Sequence, residues 1–170
     1  MKYKLFDGEI DSTPNGLTNS ILKFLEEDGN LVIGLDSPGG EIGAAMVLLQ
    51  ALSTRNEQFN KVTLIGVNYL GSSAFRLFYS YRGPKLLTMN CIGMAHQTKI
   101  EVAIASNNKP SNDEGVTHLA NRDIIFEDET NFAKKFMTHI EFEKFCDNKD
   151  IWFDLRRMRE IFPDVKVISY

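Results

Sequence analysis

Apolar residues in this chain come in short blocks whose spacing switches between strand-like runs and helical stripes. Leu31–Leu35 and Val62–Val67 are mostly apolar runs bounded by turn residues. Such runs suit strands buried on both faces, as in a parallel sheet. Between them the spacing is helical. Leu17, Ile21, Phe24 and Leu25 recur on one face, with Gly29 placed to close the helix. A second helix is expected from Glu41 to Ala51, with Ile42, Ala45, Met46 and Leu49 on one side, followed by a polar connection at Arg55–Asn60. Lys2–Phe6 reads as a first strand, Ala74–Tyr81 as an apolar helix, and Leu86–Thr88 and Ile92–Ala95 as short strands. Further on, Lys99–Ile104 alternates like a strand and Ser106–Gly115 is turn-rich and expected to be mobile. A long helix is expected over Thr117–Met137, a last helix over Asp154–Ile161, and a terminal strand over Val165–Ile168.

Strands alternating with helices predict an α/β fold built by crossovers around a mostly parallel sheet. No linker divides the chain, so residues 1–170 read as one domain. Composition sharpens this only by exclusion. The 170 residues carry 19 Lys+Arg against 23 Asp+Glu, a net charge of −4, which is not the basic footprint of a nucleic-acid binder. No apolar run approaches the roughly 18 residues of a membrane span, and the charged start is unlike a signal peptide, so a cytoplasmic protein is expected. Cys91 and Cys146 have no metal-ligand spacing and are expected to be reduced thiols. No metal and no cofactor is implied.

Three segments could carry chemistry. Asp36-Ser37-Pro38-Gly39-Gly40 lies between a buried strand and a helix, where two glycines let a ligand approach bare N–H groups. Alone, it is more often only a turn. Gly71-Ser72-Ser73-Ala74 repeats that position after the next strand. Its serines suit helix capping first, and a nucleophile in the positive field of a helix start second. Met94-Ala95-His96-Gln97 ends a further strand. A lone histidine there is usually structural, but within reach of a serine it is a general base. His118 and His139 read as surface residues, and Glu127, Asp128, Glu129, Lys134 and Lys135 as an exposed helix face.

Taken in order, these segments resemble the Clp peptidase, the proteolytic subunit of the caseinolytic protease, in its phage-type form within the crotonase-like superfamily. Pro38-Gly39-Gly40 and His96-Gln97 are the most specific points of likeness. Asn121–Met137 matches the family's handle helix, and Asp150–Asp154 with Phe162-Pro163-Asp164 matches its ending. The resemblance implies stacked ββα units with a protruding handle helix, and a serine endopeptidase working through an acyl-enzyme. It implies Ser73 as nucleophile with Ser72 second, His96 as base, Asp150 as orienting acid, and the N–H groups of Gly40 and Ala74 as oxyanion donors. It also implies a peptide or protein substrate, ring-shaped homo-oligomers and an ATPase unfoldase as partner, with no nucleic acid and no membrane.

The chain departs from that pattern in several places. Matching Gly71 to the family's leading glycine would put Phe75 at the nucleophile position and leave the protein inactive; matching the small residues puts Ser73 there. A bulky Phe75 better suits a buried helix face. Lys99-Ile100-Glu101-Val102-Ala103 replaces the Gly-rich strand that pairs with substrate in the family. The first strand comes almost at once, and no counterpart of the family's axial-gate segment is expected before it. Asp147 and Asp154 compete with Asp150 for the acid, and Asp154 also suits a helix cap. Trp152 and Phe153 are expected in the core or at a subunit contact. Two other functions stay open: a non-catalytic structural or assembly subunit, and an acyl-CoA enzyme of crotonase type.

Overall fold

The computed structural model describes residues 1–59, 62–97 and 127–169, and the side chain of Phe59 is outside that description. The expectations for Lys99–Ile104, Ser106–Gly115, His118 and the first part of the long helix fall outside the described residues. Two compact units divide the chain: Met1–Ala95 with Trp152–Tyr170, and His96–Ile151.

The first unit is an α/β layer structure. It contains β1 (Lys2–Asp7), α1 (Leu17–Leu25), β2 (Leu31–Ser37), α2 (Ile42–Phe59), β3 (Val62–Gly71), α3 (Ser72–Ser80), β4 (Lys85–Thr88) and β5 (Ile92–Ala95). After the second unit come the end of β6 (Ile151–Phe153), then α6 (Leu155–Ile161) and β7 (Lys166–Ile168). The sheet has seven strands in the order β1-β2-β3-β4-β7, with β5 beside β3 and β6 beside β5. The ladders β1·β2, β2·β3, β3·β4, β3·β5 and β4·β7 are all parallel, as buried apolar strands joined by helical crossovers require.

β3 serves two neighbours in turn. Its first half pairs Leu64–Gly66 with β4, and its last residues pair Tyr69–Gly71 with β5. Between the halves the β2·β3 register jumps from Leu35↔Gly66 to Ser37↔Leu70. The extra residues of β3 bulge, and Asp36 holds them: Asn68 Nδ2 donates to its carboxylate at 2.6 Å and the Tyr69 amide at 3.1 Å. A bulge bends a strand and re-aims the residues at its end. The residue that follows this strand is Ser72, the first of α3.

The helices pack as their stripes predict, with two differences. Leu17, Ile21, Phe24 and Leu25 are buried, and Phe24 packs on Phe6 of β1 with ring centroids 5.7 Å apart. α2 runs on to Phe59, so the expected polar connection is the helix's own last turns. Nothing in Arg55–Gln58 breaks a helix, and Arg55 reaches back to the Glu27 carbonyl at 2.7 Å. Its buried side is Ala44, Ala45, Leu48 and Leu52, whereas Met46 is 47% exposed. α3 buries Phe75, Phe78 and Leu77. Phe75 stacks on Phe153 at 5.2 Å, and Phe78 meets Phe162 edge-on at 5.3 Å. Each fully buried ring contributes roughly 1.5–3 kcal/mol. Below this cluster the Tyr81 hydroxyl donates to the Val62 carbonyl at 2.8 Å, and burial holds its pKa far above the ordinary phenol value. Lys85 closes the end of α3, with Nζ 3.2 Å from the Phe78 carbonyl, 3.3 Å from that of Tyr79, and over the Phe78 and Phe162 rings. Burial first, and Arg82 second, lower its pKa to about 8.

In the second unit, helix α4 is described over residues 127–133, and α5 (His139–Cys146) follows. The sequence reading missed α5, although its signal is present: Thr138 and Glu141 form a capping box, the Glu141 amide donating to the Thr138 hydroxyl and the Thr138 amide to the Glu141 carboxylate. The acidic run is not uniformly exposed: Glu127 and Asp128 are exposed, but Glu129 is 7% exposed. No described helix is long and apolar enough to cross a membrane.

Candidate functional site

Two strand-to-helix junctions meet on the first unit. At the β2–α2 junction the Ser37 hydroxyl accepts from the Gly39 amide at 3.1 Å, and both residues are buried. Gly39 and Gly40 take φ of +101° and +137°, a region that side chains penalise. The Ile10 amide donates to the Gly39 carbonyl at 2.7 Å and the Glu41 amide donates to the Ile10 carbonyl at 2.8 Å. In such a parallel bridge the intervening residue, Gly40, aims its own N–H away from Ile10.

The second junction lies against the first. A Cβ on Gly39 would sit 2.6 Å from the Gly71 carbonyl oxygen, 2.8 Å from Ser72 Cβ and 2.9 Å from the Ser73 nitrogen. Only a bare backbone fits there. Ser72 opens α3 with φ of +50°, unusual for a residue with a side chain. It is half-buried. Ser73 is 2% exposed, and its hydroxyl is buried without a hydrogen-bond partner among the described residues. Ala74 is fully buried in the first turn of α3. Phe75 is likewise fully buried, an aromatic core position and not a site position.

The structure therefore brings together Gly39, Gly40, Ser72 and Ser73. Of the two serines, Ser72 carries the accessible hydroxyl, a point the sequence reading, which ranked Ser73 first, had no means to see. A partly accessible oxygen on a left-handed residue at a helix start, with the next N–H against a glycine turn, can attack an electrophile and hold the charge that develops.

His96 and Asp150 belong to the second unit. His96 is half-buried, and its Nδ1 lies 2.6 Å from the Gln97 carbonyl oxygen. A carbonyl only accepts, so Nδ1 is the donor there; in the neutral imidazole this leaves the lone pair on Nε2. Asp150 is exposed and makes no hydrogen bond or ion pair with a described residue. Among the described residues the orienting acceptor for His96 is thus a main-chain carbonyl, which no residue type announces. Gln97 is 8% exposed, with Nε2 buried and unpartnered among the described residues.

The other acids resolve simply. Asp154 caps α6, accepting from the Arg157 amide at 2.8 Å, as its position predicts. Asp147 lies 3.7 Å from Lys149 on the surface. His139 is exposed and pairs with Glu143 at 3.2 Å. Trp152 is 57% exposed, not a core residue, and stacks on Tyr69 with centroids 5.7 Å apart; Phe153 is fully buried. Cys91 is buried and Cys146 exposed, and both are free thiols. Burial, and the Asp36 carboxylate after it, push the Cys91 thiol up to about 12, so it is protonated and inert near neutrality. No cluster of described residues has the makings of a metal site.

No protein-family model matches the chain, and no curated protein matches it significantly.

Proposed function

We propose that the protein is a serine hydrolase of the Clp-peptidase type, with Ser72 as nucleophile and His96 as base. The observation that carries this reading is the junction of Gly39-Gly40 with Ser72, a half-buried hydroxyl on a residue of φ +50°. In the reaction, Ser72 Oγ bonds to a peptide carbonyl carbon and its proton passes to the histidine Nε2. The carbonyl becomes an oxyanion, for which the Gly40 and Ser73 amides are the donors. Collapse breaks the C–N bond, and the amine leaves with the proton from the imidazole. Water then releases the acyl group by the same steps. Ser73 is the alternative nucleophile, with the Ala74 amide then serving as donor. The parallel pairing of β3, which ends just before Ser72, with β5, which ends at Ala95, through Gly71↔Met94 supports the reading. Assembly into homo-oligomeric rings, a peptide substrate and an ATPase partner belong to the same reading.

A fluorophosphonate probe tests it. The intact protein should gain one phosphonyl group, mapped to Ser72 by peptide mass spectrometry, and Ser72→Ala should abolish it. Absence of label, with casein and small peptides uncut, sinks the hydrolase. The second reading, a non-catalytic assembly subunit, is favoured by one observation: Asp150 is exposed and makes no hydrogen bond to His96.

A further inference from the structure

The chain's only tryptophan stands in the open beside the second junction. In β6, Ile151 and Phe153 are buried, whereas Trp152 between them is 57% exposed. Phe153 faces Phe75 of α3, so Trp152 points to the opposite side of the strand. There one face of its ring stacks on Tyr69 of β3, reaching across β5, with the two planes 16° apart. Ile92 of β5, the register partner of Tyr69, is 40% exposed. Three adjacent strands thus place Tyr69, Ile92 and Trp152 in one apolar patch, and a contiguous exposed patch of this kind marks a binding surface. The patch is continuous with the candidate site. A Cβ on Gly71 would sit 2.7 Å from the Tyr69 hydroxyl oxygen and 2.6 Å from the Pro38 carbonyl oxygen. Tyr69 therefore lies against the residue that precedes Ser72. It is also two residues from the end of β3, and ligands of parallel α/β sheets bind at the carboxyl ends of the strands.

We infer that the Tyr69–Trp152 stack is a recognition platform for an aromatic side chain of the peptide substrate, in a residue flanking the bond that Ser72 attacks. The open face of the indole takes that ring as a third member of the stack. No pocket is needed, because the ligand ring lies flat on an exposed face. Offset-stacked rings attract beyond the area they bury, whereas a saturated ring of equal size gains the area alone. Ile92 borders the stack with aliphatic carbon. The occupant is a substrate residue because the patch runs without a break from Trp152 through Tyr69 to the residue before the nucleophile. This inference rests on the reading of Ser72 as nucleophile.

The test uses the intact chain and fluorogenic peptides that carry phenylalanine, cyclohexylalanine or arginine at successive positions on either side of the cleaved bond. At one position phenylalanine should exceed cyclohexylalanine by about fivefold in kcat/KM. Trp152→Leu should bring that ratio to one, and Trp152→Phe should keep part of it. Both variants should label with the fluorophosphonate as fast as wild type, since the small probe does not reach the platform. Because Trp152 is the only tryptophan, its emission reads binding without turnover. Phenylalanine peptides should shift that emission to the blue and bind more tightly than their cyclohexylalanine counterparts; isothermal titration reads the same preference in the variants. Labelling at Ser72 with a ratio of one at every position, or with arginine preferred to phenylalanine, overturns the aromatic platform and leaves the nucleophile. Absence of label, with a phenylalanine preference in titration that Trp152→Leu loses, overturns the nucleophile and leaves the platform. A dimer that Trp152→Leu dissociates, with the peptide ratio unmoved, assigns the patch to a second copy and overturns the platform. Absence of both label and preference ends both readings.

Discussion

The two strand-to-helix junctions solve the same geometric problem in opposite ways. After β2 the chain turns through Gly39 and Gly40, both at positive φ, with no side chain to strain. After β3 it turns through Ser72, also at positive φ, but with a Cβ and a hydroxyl. A left-handed residue with a Cβ costs roughly 1–2 kcal/mol. The first junction has glycine wherever backbone meets backbone. The second accepts strain where a side chain is presented. Such strain, at Ser72 as at Asn148 (φ +58°), persists only where the surrounding structure holds it.

The largest expected effect comes from adding a Cβ to the first junction. Gly40→Ala puts a methyl group against the Ile10 backbone at φ +137° and should destabilise the fold by on the order of 3 kcal/mol, read as a lower urea midpoint. A neutral result would show that the turn is not tightly packed. Next is the support beneath the second junction. Asp36→Ala removes two hydrogen bonds to the β3 bulge and should cost about 2 kcal/mol. It should also slow fluorophosphonate labelling of Ser72 more than substitutions of equal stability cost placed elsewhere. Smaller still, Ser72→Gly should be about 0.5–1 kcal/mol more stable than Ser72→Ala, although both lack the hydroxyl. Equal stability of the two would mean that the second junction carries no strain.

The smallest effect concerns the far end of α3, where the helix that starts under strain is closed by Lys85. Its folded pKa, about 8, lies below its ordinary value of 10.5. Between those values the unfolded chain binds more protons, so this group makes stability rise with pH there. Its contribution is present above the ordinary value and lost as pH falls through the folded one. Cys91, raised to about 12, works in the opposite direction above its ordinary value, and so does Tyr81. The measurement is therefore a difference. Relative to wild type, Lys85→Met should show urea midpoints that lose the upward contribution between pH 8 and pH 10. An unchanged difference across that range would remove Lys85 from the account.

Strand and helix order was legible because buried parallel strands and amphipathic helices leave distinct apolar spacings. Leu31–Ser37, Leu17–Leu25 and Lys166–Ile168 lie where those spacings put them. The end of α2 was misread because a polar tail without a breaker looks the same as a polar loop. α5 was missed because its apolar stripe is weak, although Thr138 and Glu141 mark its start. Of the candidate site, the paired glycines were legible as a place where backbone must come close.

Residue types and their spacing determined by themselves that this chain builds an α/β sheet with two turn-bearing loops and a histidine at the end of a short strand. Only the tertiary structure decided which serine is accessible, which atom holds the histidine's tautomer, and that Trp152 stacks on Tyr69 beside the second junction. Those properties depend on a bulge held by Asp36, on a backbone carbonyl and on strands distant in sequence lying side by side. They are set by long-range packing and main-chain geometry, to which a local pattern of side chains is blind.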